Sequence, residues 1–76
     1  MKGDIYMDKK QARQLCREKA KENRRPSWPL CWNKQYNYYP SENGSSDNCT
    51  IAHVNIDGTY SYVSKENQKK HNLFNK

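Results

Sequence analysis

The sequence predicts an α+β fold: an N-terminal amphipathic helix, a three-stranded antiparallel sheet that includes a β-hairpin with its turn at 55–59, and a short C-terminal helix. Three observations carry this expectation. Residues 8–24 hold good helix formers between an aspartate cap and a proline. Apolar and aromatic residues alternate at period two over 30–39 and again over 50–64. Asp57-Gly58 sits in the middle of the second alternating run, where a hairpin needs its turn.

The first helix is expected over 8–24. Asp8 suits the N-cap, and Gln11, three residues on, completes a capping box. Lys9 to Leu15 contains nothing β-branched. Pro26 ends the helix, because the residue before a proline is driven out of the α region. Pro26 and Pro29 flank Ser27 and Trp28, so 25–30 reads as a stiff connector. A strand over 30–39 then places Leu30, Trp32, Tyr36 and Tyr38 on one side, until Pro40 stops it. The polar stretch 41–48 reads as a flexible loop.

The register of the hairpin over 50–64 follows from its turn. Asn55 to Thr59 fits a type I turn with Gly58 as a left-handed bulge. That loop pairs Val54 with Tyr60 and Ala52 with Tyr62 on one face. The other face receives Asn55 with Thr59, His53 with Ser61 and Ile51 with Val63. A tighter Asp57-Gly58 loop scatters the apolar residues over both faces, so the bulged register is preferred. Ser64 caps the last helix, 65–74, whose anchors are expected to be Leu73 and Phe74.

Composition bounds the function. The chain has 76 residues, 33% of them hydrophobic, and a formal net charge of +6. That length suits one small domain, 1–76, which hides only ~60% of the surface its unfolded form exposes. No run approaches the ~20 apolar residues a bilayer span requires, and no apolar leader follows Met1. The expected setting is therefore the cytoplasm, with no membrane partner. Cys16, Cys31 and Cys49 make an odd set with no CxxC spacing, and read as reduced thiols.

The charge is concentrated at the start: nine of the 14 lysines and arginines lie in residues 1–25. Lys10, Arg13, Arg17, Lys21 and Arg24 fall on one helical stripe about 80° wide and ~25 Å long. Arg25 extends it. Such a stripe suits a helix laid along a phosphate backbone, or merely a solvated face. Aromatic residues interleaved with Lys34 serve either as core or as a stacking platform for bases, with Tyr36 and Tyr38 the members expected to be exposed.

Metal and catalytic chemistry are less well supported. Cys16, Cys31, Cys49, His53 and His71 are the possible ligands. Cys49 and His53 have C-x3-H spacing, but along a strand four residues span ~13 Å and cannot chelate one ion. A tetrahedral site needs Cys49 to fold back from the loop and His71 to arrive from the tail, so no metal or cofactor is assigned. His53 beside Ser61 and Tyr62 is the one cluster that suggests a small metal-independent ribonuclease.

The preferred reading is a small, basic, non-enzymatic regulatory protein that contacts a nucleic-acid backbone, RNA or DNA, through Lys10, Arg13, Arg17, Lys21, Arg24, Arg25, Lys34, Tyr36 and Tyr38. The alternative is an inhibitor or adaptor, of the kind a phage or mobile element carries, docked on an acidic face of a larger enzyme. Trp28 and Trp32 would then be the hot spot. Neither reading implies a small-molecule substrate.

Overall fold

The computed structural model describes residues 7–34 and 37–73, with backbone alone at 33 and 34. The elements run α1 (Lys9–Glu22), β1 (Ser27–Lys34), β2 (Asn37–Pro40), β3 (Thr50–Asn55), β4 (Tyr60–Tyr62) and α2 (Lys65–Leu73). The antiparallel sheet has four strands in the order β2-β1-β3-β4, where the sequence predicted three.

α1 begins as expected. The Asp8 carboxylate accepts the Gln11 N–H at 2.8 Å, and Gln11 Oε1 accepts the Asp8 N–H at 3.3 Å, closing the capping box. The helix stops before Pro26 can act. Asn23 is the C-cap and Arg24 turns left-handed, at φ 56°. The Arg25 N–H then reaches the Ala20 carbonyl at 2.8 Å and the Arg24 N–H that of Lys21 at 3.2 Å, a Schellman closure.

The single strand expected over 30–39 is a hairpin. Leu30 faces Pro40 and Trp32 faces Tyr38, so even-numbered residues meet even-numbered residues. The register slips by one beyond Trp32, where Lys34 faces Asn37. The two pairs nevertheless keep even-numbered residues on one face of both strands, and residues 33–37 contain no glycine or proline to mark the reversal. β1 also starts earlier than expected, at Ser27, and carries Pro29 within a central strand. Pro29 accepts the Ser41 N–H at 3.0 Å but has no N–H to return. The Ser41 carbonyl takes the Trp28 indole N–H at 2.7 Å instead. The second hairpin has the predicted register: Ala52–Tyr62, His53–Ser61 and Val54–Tyr60. Gly58 sits at φ 94° and donates its N–H to the Asn55 carbonyl at 2.8 Å.

The core face of the sheet carries even-numbered residues and, at the register shift between Leu30 and Cys31, Ile51, which the sequence reading puts on the other face. Ala12, Cys16 and Ala20 of α1 are fully buried against Trp28, Leu30, Tyr38, Ile51, Ala52 and Val54. Their spacing of four puts three small side chains in one row, so the helix axis lies close to the strands. α2 is capped by Ser64, whose Oγ accepts the Asn67 N–H at 3.1 Å. Its anchor is His71, fully buried, whose ring meets those of Tyr38, Tyr60 and Tyr62. Leu73, expected in that role, is 62% exposed, and Phe74 lies outside the described residues.

Residues 41–49 fold back over the odd-numbered face, where Ser46 Oγ and His53 Nε2 lie 2.9 Å apart. The stretch expected to be a flexible loop has its own hydrogen bonds: Ser41 Oγ to the Ser45 carbonyl, and the Ser45 N–H to Asn43 Oδ1, both at 3.0 Å. At the outer edge, Met7 bridges β2 through its carbonyl, which accepts the Tyr38 N–H at 3.2 Å.

Two backbone positions give stability predictions. Arg24→Gly removes a Cβ from a left-handed residue and is expected to raise unfolding free energy by about 1 kcal/mol in urea titrations. Gly44 has φ 75°, and a Cβ there would fall on the Arg25 guanidinium and 3.0 Å from Trp28 Cη2. Gly44→Ala is therefore expected to lower stability by about 1–2 kcal/mol in the same measurement.

Candidate functional site

The predicted cations do not form one outward ridge. Ala12, Cys16 and Ala20 fix which side of α1 meets the sheet, and the stripe lies on the flank facing the β3–β4 hairpin. Lys10 and Lys21 are exposed. Arg13 and Arg17 are half-buried. Arg17 donates from Nε to the Ile56 carbonyl at 3.0 Å and from Nη1 to Gln14 Oε1 at 3.3 Å. It holds the hairpin turn to the helix, a structural role for a residue expected on a phosphate-binding stripe. The Arg13 guanidinium lies beside Gly58 and Tyr60. Arg24 is exposed beyond the helix end.

Arg25 leaves the stripe altogether: its guanidinium lies over the Trp28 ring, 5.1 Å from the centroid, with Lys19 Nζ at 5.8 Å. Trp28 itself is only 4% exposed. Tyr38, expected on the exposed side, is 2% exposed and stacks with Trp32 at 6.3 Å between centroids. It belongs to the core because its face of β2 is the one α1 covers. Trp32 is half-buried against that core. Tyr36 and the side chain of Lys34 lie outside the described residues.

What the fold does bring together is a hollow of about 370 Å³ lined by Lys9, Lys10, Arg13, Tyr60, Tyr62 and Asn72. The N-terminal half of α1 supplies the three cations, β4 the two rings and α2 the amide. Lys9 Nζ lies over the Tyr60 ring, 5.9 Å from its centroid, and partial burial lowers its pKa. Burial raises the pKa of the Tyr60 hydroxyl, and the Arg13 guanidinium opposes that. The Tyr60 and Tyr62 rings are 5.6 Å apart and tilted by 32°, a shared aromatic wall. A site with three cations, two phenol rings and no carboxylate in its lining suits a phosphate ester with an attached planar or apolar group.

The sequence reading missed Lys9 and Asn72, and weighed Tyr60 and Tyr62 as core or stacking residues without placing them in a site. The signal for three of them was present. Lys9 precedes Cys16 by seven residues, two helical turns, so it shares the sheet-facing side. The hairpin register already put Tyr60 and Tyr62 on the same face as Val54 and Ala52. Asn72 depends on how α2 docks, which no local pattern states.

Two further clusters take the remaining candidates. On the odd-numbered face Cys31 Sγ, Asp47 Oδ1 and Cys49 Sγ lie within 4.8 Å of one another. His53, on the same face, is bonded to Ser46 rather than set beside an acid or a second histidine. Under the hollow's aromatic wall, His71 Nδ1 and the Tyr62 hydroxyl are 2.7 Å apart, while His71 Nε2 is buried with no hydrogen-bond partner among the described residues. Cys16, in the core, has its thiol pKa pushed up to about 12 by burial. Compared with known protein families, curated proteins and solved structures, the chain matches none.

Burial, aided by the Lys9 charge, lowers the His71 pKa from 6.5 to about 4. The folded chain keeps this imidazole neutral while the unfolded chain protonates it below pH 6.5. Stability from this residue is therefore complete above pH 6.5 and falls as pH drops toward 4, by roughly 3 kcal/mol at most. Thermal melts across that window are expected to show wild type losing stability as pH falls from 6.5 toward 4, and His71→Phe lacking that loss.

Proposed function

We propose that this protein binds nucleic acid, with the hollow between α1 and β4 as the centre of the contact. The carrying observation is the convergence of Lys9, Lys10 and Arg13 with the Tyr60–Tyr62 wall. Phosphates are held by the cations, while an unpaired base or its sugar lies against the rings. Lys21 and Arg24, exposed farther along α1, extend the backbone track. Release of counterions drives the association. Nothing in this reading requires a reaction at the site, so the protein acts by occupancy.

The reading as a protein-docked inhibitor is weaker, because Trp28 is buried and its indole N–H is committed to Ser41. A ribonuclease centred on His53 lacks a partner group of opposite role in the bonds that residue makes. We therefore favour binding without catalysis.

Fluorescence anisotropy with labelled single-stranded and duplex probes tests this. Single strands are expected to bind more tightly, with log K falling against log salt at a slope of about −2 to −4 for three to five phosphates. Lys10→Glu with Arg13→Glu is expected to weaken binding at least tenfold. Lys69→Glu with Lys70→Glu, on α2 and outside the hollow, changes it far less. Absence of binding to every probe at low salt overturns the proposal.

A further inference from the structure

We propose that Cys31, Asp47 and Cys49 form a zinc site that clamps the 41–49 segment onto the sheet. The three come from two places: Cys31 from the middle of β1, Asp47 and Cys49 from the turn that leads into β3. That turn is closed by the Thr50 N–H on the Asp47 carbonyl at 3.1 Å, and Trp32 donates its N–H to the Cys49 carbonyl at 3.1 Å. Backbone geometry thus brings both turn side chains toward Cys31.

The donor atoms have the spacing an ion needs. Tetrahedral zinc, with Zn–S of about 2.3 Å and Zn–O of about 2.0–2.2 Å, sets its donors about 3.5–3.8 Å apart. Cys31 Sγ lies 3.8 Å from Asp47 Oδ1, and all three donors fall within 4.8 Å of one another. The Cys49 Sγ–Asp47 Oδ1 pair, at 2.7 Å, must open by about 0.8–1 Å. Two thiolates and one carboxylate favour zinc over the harder magnesium or calcium. On binding, each thiol gives its proton to solvent, two S–Zn bonds form, and the carboxylate adds a third bond. Asp47 is exposed, so water completes the fourth position.

A supporting shell already surrounds these atoms. The Tyr39 hydroxyl donates to Cys49 Sγ at 3.1 Å, the Thr50 hydroxyl lies 3.7 Å from Cys31 Sγ, and the Cys49 N–H holds Asp47 Oδ1 at 3.0 Å. Such contacts orient ligands and temper the charge on sulfur. The site also answers a structural need: residues 41–49 carry no large apolar side chain, and Asp47 reaches a fully buried Cys31. Small domains with thin cores commonly gain stability from a metal. The clamp lies on the face opposite α1, independent of the nucleic-acid contact.

The test uses the full chain, purified under reducing conditions and stripped with chelator. Native mass spectrometry with added Zn2+ is expected to show one ion per chain, and the melting temperature to rise. Cobalt(II) added to the wild type is expected to give the near-ultraviolet thiolate-to-metal band and tetrahedral visible bands. Cys31→Ser and Cys49→Ser lose both ion and band, Asp47→Asn weakens binding at least tenfold, and Cys16→Ser keeps both. The proposal is overturned if wild type shows no stoichiometric zinc and no cobalt–thiolate band. Unchanged binding in Cys31→Ser or Cys49→Ser, or a Cys31–Cys49 disulfide that persists after purification under reducing conditions, overturns it equally.

Discussion

A helix that brings only Ala12, Cys16 and Ala20 to its sheet cannot fill a core by itself, and the rest of this structure follows from that shortage. The apolar volume must come from the strands, so Trp28, Leu30, Tyr38 and Val54 turn inward and the helix settles low over them. A low helix brings its flanking cations within reach of the sheet. Arg17 can then hold the hairpin turn, and Lys9 can lie over Tyr60. The same closeness brings two tyrosines of β4, an edge strand, beside the ammonium groups of α1. The basic hollow is thus a by-product of packing small residues, with long side chains lodged at the margin of a thin core.

The elements set by local chemistry were legible in the sequence. The capping box at Asp8 and Gln11, the bulged turn at Gly58 and the Ser64 cap each depend on residues close together in the chain, and each occurs as read. The β1–β2 hairpin was not legible, because Leu30, Trp32, Tyr38 and Pro40 stay in phase on both strands and no glycine or proline marks the reversal. The start of β1 was hidden by Pro29, which looks like a strand breaker until the Trp28 indole is seen taking the carbonyl the proline cannot serve. For the site, helical spacing alone located the cations. It could not tell which of them the sheet would engage, since that requires the direction in which the helix faces.

The two faces of the sheet differ in chemistry as well as in cover. Against the helices the side chains are aromatic and aliphatic, edged by cations, and His71 is kept neutral there by burial and by Lys9. Against the 41–49 segment they are thiol, hydroxyl and carboxylate, joined by short polar contacts. One sheet therefore separates a positively charged hollow from a cluster of thiol and carboxylate donors. The ligands suited to the two sides, a phosphate ester and a metal cation, carry opposite charge and do not compete.

The Met7 bridge has a meaning for life at high concentration. An outer strand ordinarily displays a line of unfilled amide and carbonyl groups on which a neighbouring molecule can add itself, and growth of that kind ends in fibres. Here the lead-in to α1 crosses that line at Tyr38, and Pro40 ends it, while the opposite margin is a strand of three residues. Among the described residues neither border offers a long template, so a second copy finds little to extend.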